Sequence, residues 1–306
     1  MEPRILLVAA ATGTQSGATI KALVASSTPG VSIRALVRSK ASEKAQALVG
    51  VELVEGSFDD SQSLKNALVG VDSAFLVTTP FGEGQSPEAE IRQGKAFIDA
   101  AKGAGVKHLV FTSVEGAERK TGIPHADGKH EIEQHLFASG MRYTVVRPVI
   151  FMDLFPLSVG AELAINLWTL EVFLRGRKLQ MVASEDIGWS FLSASFGWFC
   201  AQALLNPADY GGRQIPLAGD ALTMAEVRAT YAKVTGQTPW NLYLLPGFLV
   251  KWLPIPPLFL KTLTVSIFYM WYGSTAGYEA DVEARRAEHP AMMTFETWLS
   301  RKIKAA

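Results

Sequence analysis

The side chains best suited to chemistry fall in two stretches of the chain. In the first, His125 and Lys129 stand four residues apart, a spacing that puts both on one face of a helix. A histidine titrates near neutral pH, so His125 is a candidate proton donor; the competing reading is a surface residue just ahead of the helix. Ser113 and Glu115 follow the apolar run His108–Thr112. If that run is a parallel strand, both lie at its carboxyl end, where such sheets place their ligands. Ser113 is then a candidate to face a bound ligand, and Glu115 to orient or protonate a substrate, with loop capping as the other role for each. His125, His130 and His135 recur every five residues. That step turns about 140° around a helix of 3.6 residues per turn, so they do not share a face, and no metal site is expected.

The second stretch runs from Ile5 to Ile20: a buried-type strand, the turn Thr12-Gly13-Thr14-Gln15, then a helix. The first N–H groups of a helix have no partner and carry partial positive charge, and a glycine lets the backbone approach a diphosphate closely. Aligned to G-x-x-G-x-x-G, the chain offers Ala10, Gly13 and Ser16, with Gly17 one place later. Val31–Val37 then alternates as a second strand and ends on Arg38-Ser39-Lys40. A site for NAD holds the ribose 2′-hydroxyl with a carboxylate about 20 residues past the glycines. No Asp or Glu lies between Glu2 and Glu43; Arg38 and Lys40 stand there instead. A guanidinium pairs with phosphate through two parallel hydrogen bonds, so the combined pattern predicts NADP(H).

These residues need elements to hold them. Strand candidates are Arg4–Ala9, Val31–Val37, Val51–Glu55, Ser73–Thr78, His108–Thr112 and Tyr143–Arg147. Helical stretches lie between them, near Ser16–Ala25, Ser42–Leu48, Ser61–Leu68, Glu88–Lys102 and Asp127–Ala138. Asp60 is placed to cap the third helix, and Gly103 and Gly140 to close the fourth and fifth in a left-handed conformation. Glu131 and Glu133 read as solvated helix charges. Strands that are mostly hydrophobic and alternate with helices argue for an α/β fold with a parallel sheet covered on both faces. After Met152 the pattern changes. Leu154–Leu174 reads as a helix with Asp153 as its N-cap, Lys178–Val182 and Gln214–Leu217 as short strands, and Thr223–Thr235 as a helix opened by a capping box. A long apolar helix is expected to follow Asp186-Ile-Gly188 and to end near Asn206.

Composition narrows the function classes. The chain has 306 residues, with 29 Lys plus Arg balanced by 29 Asp plus Glu, so no global field draws nucleic acid or anionic membrane. Its single cysteine, Cys200, sits among apolar residues and reads as buried. Arg4 and the apolar run after it mimic a signal peptide, but the turn and second strand that follow need that run in place, so a cytoplasmic protein is expected. No segment reads as a transmembrane span. The region Trp240–Gly273 is rich in aromatics, Trp240, Tyr243, Trp252 and Trp271 among them, and poor in charge. Lining a cleft, it would suit a bulky apolar small molecule; ordinary packing of the lobe and a protein or membrane-surface contact patch are the alternatives.

In order along the chain, Ala11-Thr-Gly-Thr-Gln15, Gly70–Thr78, Ala100–Ser113, His125–Glu133 and Arg147-Pro148 with Phe151-Met152 resemble motifs of the NmrA-like branch of the atypical short-chain dehydrogenases. The resemblance is tight to about Asp153 and looser beyond. It implies a Rossmann-type doubly wound parallel sheet over residues 1–153 and a smaller, mostly helical C-terminal lobe over 154–306. Part of 178–220 is expected to return to the sheet, and the lobe to close a cleft over the nicotinamide. It also implies cofactor contacts from Thr12, Gly13, Thr14, Gln15, Ser16, Arg38, Thr78, Thr79, Pro80, Lys129 and the turn Val149–Phe151. Ala10 and Ser16 depart from the family's glycines. Dehydrogenases of the wider superfamily normally carry Tyr-x-x-x-Lys; here the lysine is Lys129 and the tyrosine position is His125. Two functions remain: an NADPH-dependent oxidoreductase for a bulky enone, quinone, imine or iminium, or a non-catalytic NADP(H) sensor acting through a protein partner.

Overall fold

The computed structural model describes residues 3–82, 84–184, 195–241, 275 and 277–305. Asp186-Ile-Gly188 and all but the first two residues of Trp240–Gly273, Trp252 and Trp271 included, lie outside the described residues. The chain divides into two compact units, Met1–Pro148 with Ser184–Leu217, and Val149–Ala183 with Ala218–Ala306.

The first unit is built on seven parallel strands in the order β3-β2-β1-β4-β5-β6-β9, the doubly wound Rossmann arrangement. They are β1 (Arg4–Val8), β2 (Val31–Val37), β3 (Glu52–Glu55), β4 (Val71–Val77), β5 (His108–Thr112), β6 (Arg142–Pro148) and β9 (Gln214–Leu217). Leu6, Leu7, Leu109, Val110 and Phe111 are fully buried, as expected of strands covered on both faces. On one side, α3 (Ser61–Leu68), α4 (Pro87–Gly103) and α5 (Pro124–Ala138) pack a core around Leu64, Phe97, Ile132 and Leu136. Elsewhere in the unit, which also holds the short helices α2 (Glu43–Gln46) and α8 (Pro207–Tyr210), α1 (Thr14–Ser26) packs against α7 (Ser195–Leu205). The two backbones come so close at Gly197 that an added Cβ would lie 2.4 Å from the Ala18 carbonyl oxygen. Only glycine fits there. Cys200 is buried, and burial raises its thiol pKa far above the ordinary range.

Local chemistry sets the helix ends. Asp60 accepts from the N–H groups of Gln62 and Ser63, capping α3. The close of α4 differs from expectation. Gly103 is the helix's last residue, and the left-handed position falls at Gly105 (φ 77°), because Ala104 continues right-handed before the chain turns. Gly140 (φ 75°) takes the expected role after α5.

The second unit holds β7 (Ile150–Phe151), β8 (Leu179–Val182) and β10 (Asp220–Leu222) in a small sheet of order β10-β8-β7. Among the described residues its helices are α6 (Ala161–Leu174), α9 (Met224–Thr235), α10 (Val282–Glu288) and α11 (Phe295–Ala305). The helix expected from Leu154 begins only at Ala161. Met152–Leu154 form a single 3-10 turn, and Pro156, which lacks an N–H, and Gly160 separate it from α6. Asp153 is therefore not the cap of α6; it pairs with Lys302 at 3.2 Å. The capping box of α9 forms between Thr223 and Glu226. Phe155, Tyr231, Phe295 and Trp298 make the unit's aromatic core.

Candidate functional site

In a parallel sheet every strand delivers its carboxyl end to one edge, and the candidate residues of the first unit gather there. The end of β1 is tied on both sides: Ala9 N–H donates to the Phe75 carbonyl and Ala11 N–H to that of Leu36, each at 3.0 Å. Between them Ala10 takes φ 49°, a left-handed conformation that a side chain adopts at a cost of about 1 kcal/mol. The turn closes with Gly13 N–H on the Ala10 carbonyl at 2.9 Å. A Cβ on Gly13 would stand 3.3 Å from that oxygen, so the bare glycine keeps the turn tight.

The helix that follows starts uncapped. Gly13 has no side chain to give, and the first turn of α1 holds no acidic residue. The N–H groups of Thr14, Gln15 and Ser16 are thus left for an anion. Thr12, Gly13 and Thr14 are exposed and Gln15 is half-buried. The Ser16 side chain is turned inward, its hydroxyl donating to the Ala9 carbonyl at 2.7 Å, so only its backbone faces this position. Gln15 Oε1 is buried without a partner. On the neighbouring strand, Arg38 and Lys40 are exposed, and Arg38 makes no ion pair among the described residues. Lys40 N–H donates to the Glu55 carboxylate at 3.1 Å, which fixes the loop after β2.

Beyond β4 and β5 the charges are buried and paired within the fold, although Glu90 Oε2 has no hydrogen-bond partner among the described residues. Lys129 is buried, with Nζ donating to the Thr78 carbonyl (2.8 Å), the Thr78 hydroxyl (3.0 Å) and the Thr112 carbonyl (3.2 Å). Its counter-ion is Glu90, fully buried on α4 at 3.0 Å. Burial pulls the Lys129 pKa down, against the opposing pull of Glu90. The ammonium therefore clamps the ends of two strands. Thr78 also donates to Glu90 at 2.9 Å, Thr79 is exposed and Pro80 half-buried.

His125 lies in the first turn of α5, half-buried, with Nδ1 lacking a partner. Burial lowers its pKa, with the nearby Glu90 opposing, which favours the neutral imidazole. Ser113 continues the β5 ladder through its N–H to the Val146 carbonyl (2.9 Å), and its buried hydroxyl has no partner. Glu115 is held by Arg119 at 2.6 Å. Glu133, expected in solvent, is fully buried and accepts two hydrogen bonds from Arg147, at 2.9 and 2.7 Å. Although burial works against the charge, that pair holds the Arg147 pKa above its ordinary value. Val149 and Phe151 belong to the second unit, Val149 buried and Phe151 half-buried. The sequence pattern did not single out Glu90, and its only local signal was an acidic residue on the inner stripe of α4.

A seven-stranded doubly wound sheet with an uncapped glycine turn after its first strand and exposed cations after its second defines a dinucleotide-type α/β protein. Residues 2–299 match the NmrA-like family, and the chain belongs to it. An NmrA-like family domain-containing oxidoreductase of Aspergillus versicolor is 30% identical over 246 residues, covering 73% of this chain and 67% of that protein. Among solved structures, the NADPH-dependent quinone oxidoreductase of Escherichia coli complexed with NADPH aligns with a TM-score of 0.71 at 24% identity, covering 97% and 99% of the two chains. The triphenylmethane reductase of Citrobacter aligns at 0.74 and 20% identity, covering 98% and 99%. Among the described residues no helix is long and apolar enough to cross a membrane.

Proposed function

We propose that the chain is an NADP(H)-dependent oxidoreductase acting on a bulky hydrophobic acceptor of the quinone, enone, imine or iminium type. The observation that carries this reading is the uncapped start of α1 together with the unpaired Arg38 on the next strand end. The N–H groups of Thr14, Gln15 and Ser16 would hold the diphosphate, and Arg38, with Lys40, the 2′-phosphate. When bound, the cofactor supplies a hydride from the nicotinamide ring. The chain's own part is to place the acceptor and manage a proton. Ser113 Oγ and His125 Nδ1, which like Thr112 Oγ1 have no hydrogen-bond partner among the described residues, would meet a carbonyl oxygen or imine nitrogen. Lys129 acts through the Thr78 and Thr112 carbonyls, keeping the two loops in place. The names of the A. versicolor and E. coli relatives support the reaction class. The aromatic sequence of Trp240–Gly273 supports an apolar acceptor.

The imidazole at position 125 in place of a phenol favours a second reading, a cofactor-binding redox sensor that works through a protein partner. Calorimetric titration with NADPH and NADH, followed by NADPH oxidation against naphthoquinone, bulky enones and cyclic imines, separates the two. Tighter NADPH binding with measurable turnover is expected. Binding with no turnover across the panel gives the case to the sensor; equal affinities for both cofactors remove the role of Arg38.

A further inference from the structure

Large apolar side chains in the first unit are buried as a rule: Phe75, Phe97 and Phe111 have no exposed surface. Phe81 breaks the rule at 61% exposure, four residues past the end of β4. Its backbone is anchored. Thr78 is tied to Glu90 and Lys129, Pro80 restricts the next turn, and Phe81 N–H donates to the Thr79 hydroxyl at 3.2 Å. The ring is thus presented to solvent by a loop fixed from behind, against the hydrophobic preference for burial. It stands beside the His125 ring, with centroids 5.8 Å apart and planes at 54°. Burial favours the neutral form of that imidazole, and its Nδ1 has no partner among the described residues.

We propose that Phe81 is a specificity-determining residue: with His125 it forms a two-ring rim on which a planar aromatic acceptor stacks. This rests on the oxidoreductase reading above and names the acceptor's shape. Aromatic rings prefer offset or edge-to-face partners at 4.5–7 Å, and a third ring can complete that arrangement on the exposed face of Phe81. A small non-aromatic acceptor gains nothing from it.

The experiment compares wild type with Phe81→Ala and Phe81→Trp. Because the ring is exposed, both variants should fold with unchanged melting temperature and NADPH affinity. Phe81→Ala should raise KM for 1,4-naphthoquinone and 9,10-phenanthrenequinone by about three- to tenfold, the size of one aromatic contact. It should leave cyclohex-2-enone unaffected, and Phe81→Trp should keep the wild-type preference. Calorimetry with anthraquinone-2-sulfonate reads binding without turnover and should weaken by the same factor. Equal effects on planar and non-planar acceptors, or none on either, overturn the proposal. If the wild type oxidises no NADPH yet loses anthraquinone affinity on Phe81→Ala, the stacking role stands and the oxidoreductase reading fails.

Discussion

Two arrays of charge sit at the same carboxyl edge of the first unit's sheet, and they are arranged in opposite ways. At the ends of β1 and β2, α1 starts without a side-chain cap, and Arg38 and Lys40 are exposed and make no side-chain ion pair among the described residues. At the ends of β4 and β5, Lys129 and Glu90 are buried and meet each other and the strand-end carbonyls. Charge left unpaired at a surface costs little and stays available to a ligand; charge in the interior must find its partner within the fold. The difference separates residues that recognise from residues that hold. Lys129, which the family resemblance assigns to cofactor, has the environment of the second kind.

The largest test of this contrast is on the buried side. Glu90→Gln leaves the Lys129 ammonium without its counter-charge and should lower stability by about 3–5 kcal/mol, with partial recovery when Lys129→Met is added. Urea unfolding measures both. A loss below about 1 kcal/mol with weakened NADPH binding would make the pair part of the ligand site after all. On the open side, Arg38→Glu should cost about 2–4 kcal/mol of NADPH affinity by calorimetry, while stability moves by less than about 0.5 kcal/mol. The reverse outcome would erase the distinction.

Buried charge logic extends to the sheet's opposite edge, where His108 bonds Thr144 at 2.9 Å and keeps Nδ1 unpartnered. Burial pushes its pKa down to about 4. Its folded value lies below the unfolded value of about 6.5, so folding favours the neutral ring. That contribution is complete above pH 6.5 and is lost as pH falls toward 4, in total about 3 kcal/mol. Unfolding midpoints across this window should show the slope, and His108→Gln should flatten it; an unchanged slope would assign the loss to other groups. The smallest expected effect is at the turn. Ala10→Gly relieves the left-handed alanine but loosens the unfolded chain, for a net gain of about 0.5 kcal/mol. A clear loss in melting temperature would show that the methyl group packs usefully.

The parallel sheet was legible because its strands are continuous apolar runs punctuated by turn residues, and the same is true of the Gly13 turn and the cations after β2. Less legible were features set by distant neighbours. Glu133 reads as solvated until Arg147, from the next strand, is laid across it. Glu90 acquires its meaning only when α4 and α5 pack side by side. The loop that carries the exposed Phe81 starts at Thr78, which Lys129, far along the chain, holds in place. Local spacing also misplaced the close of α4, since Gly103 and Gly105 both offer a left-handed residue and the helix's last hydrogen bonds decide between them.

The close meeting of Gly197 with Ala18 has a consequence in time. The first unit takes its α7 and β9 from residues after 184, beyond a stretch that belongs to the other unit. On the ribosome, α1 emerges long before the helix that covers it, and at about 5–20 residues per second the interval is on the order of ten seconds or more. Until Leu205 is made, the Ala18 side of α1 has no cover, and until Leu217 is made the sheet stops at β6. The unit that begins first is therefore completed late, and an N-terminal fragment ending near residue 150 would be a sheet without its last strand and a helix without its partner.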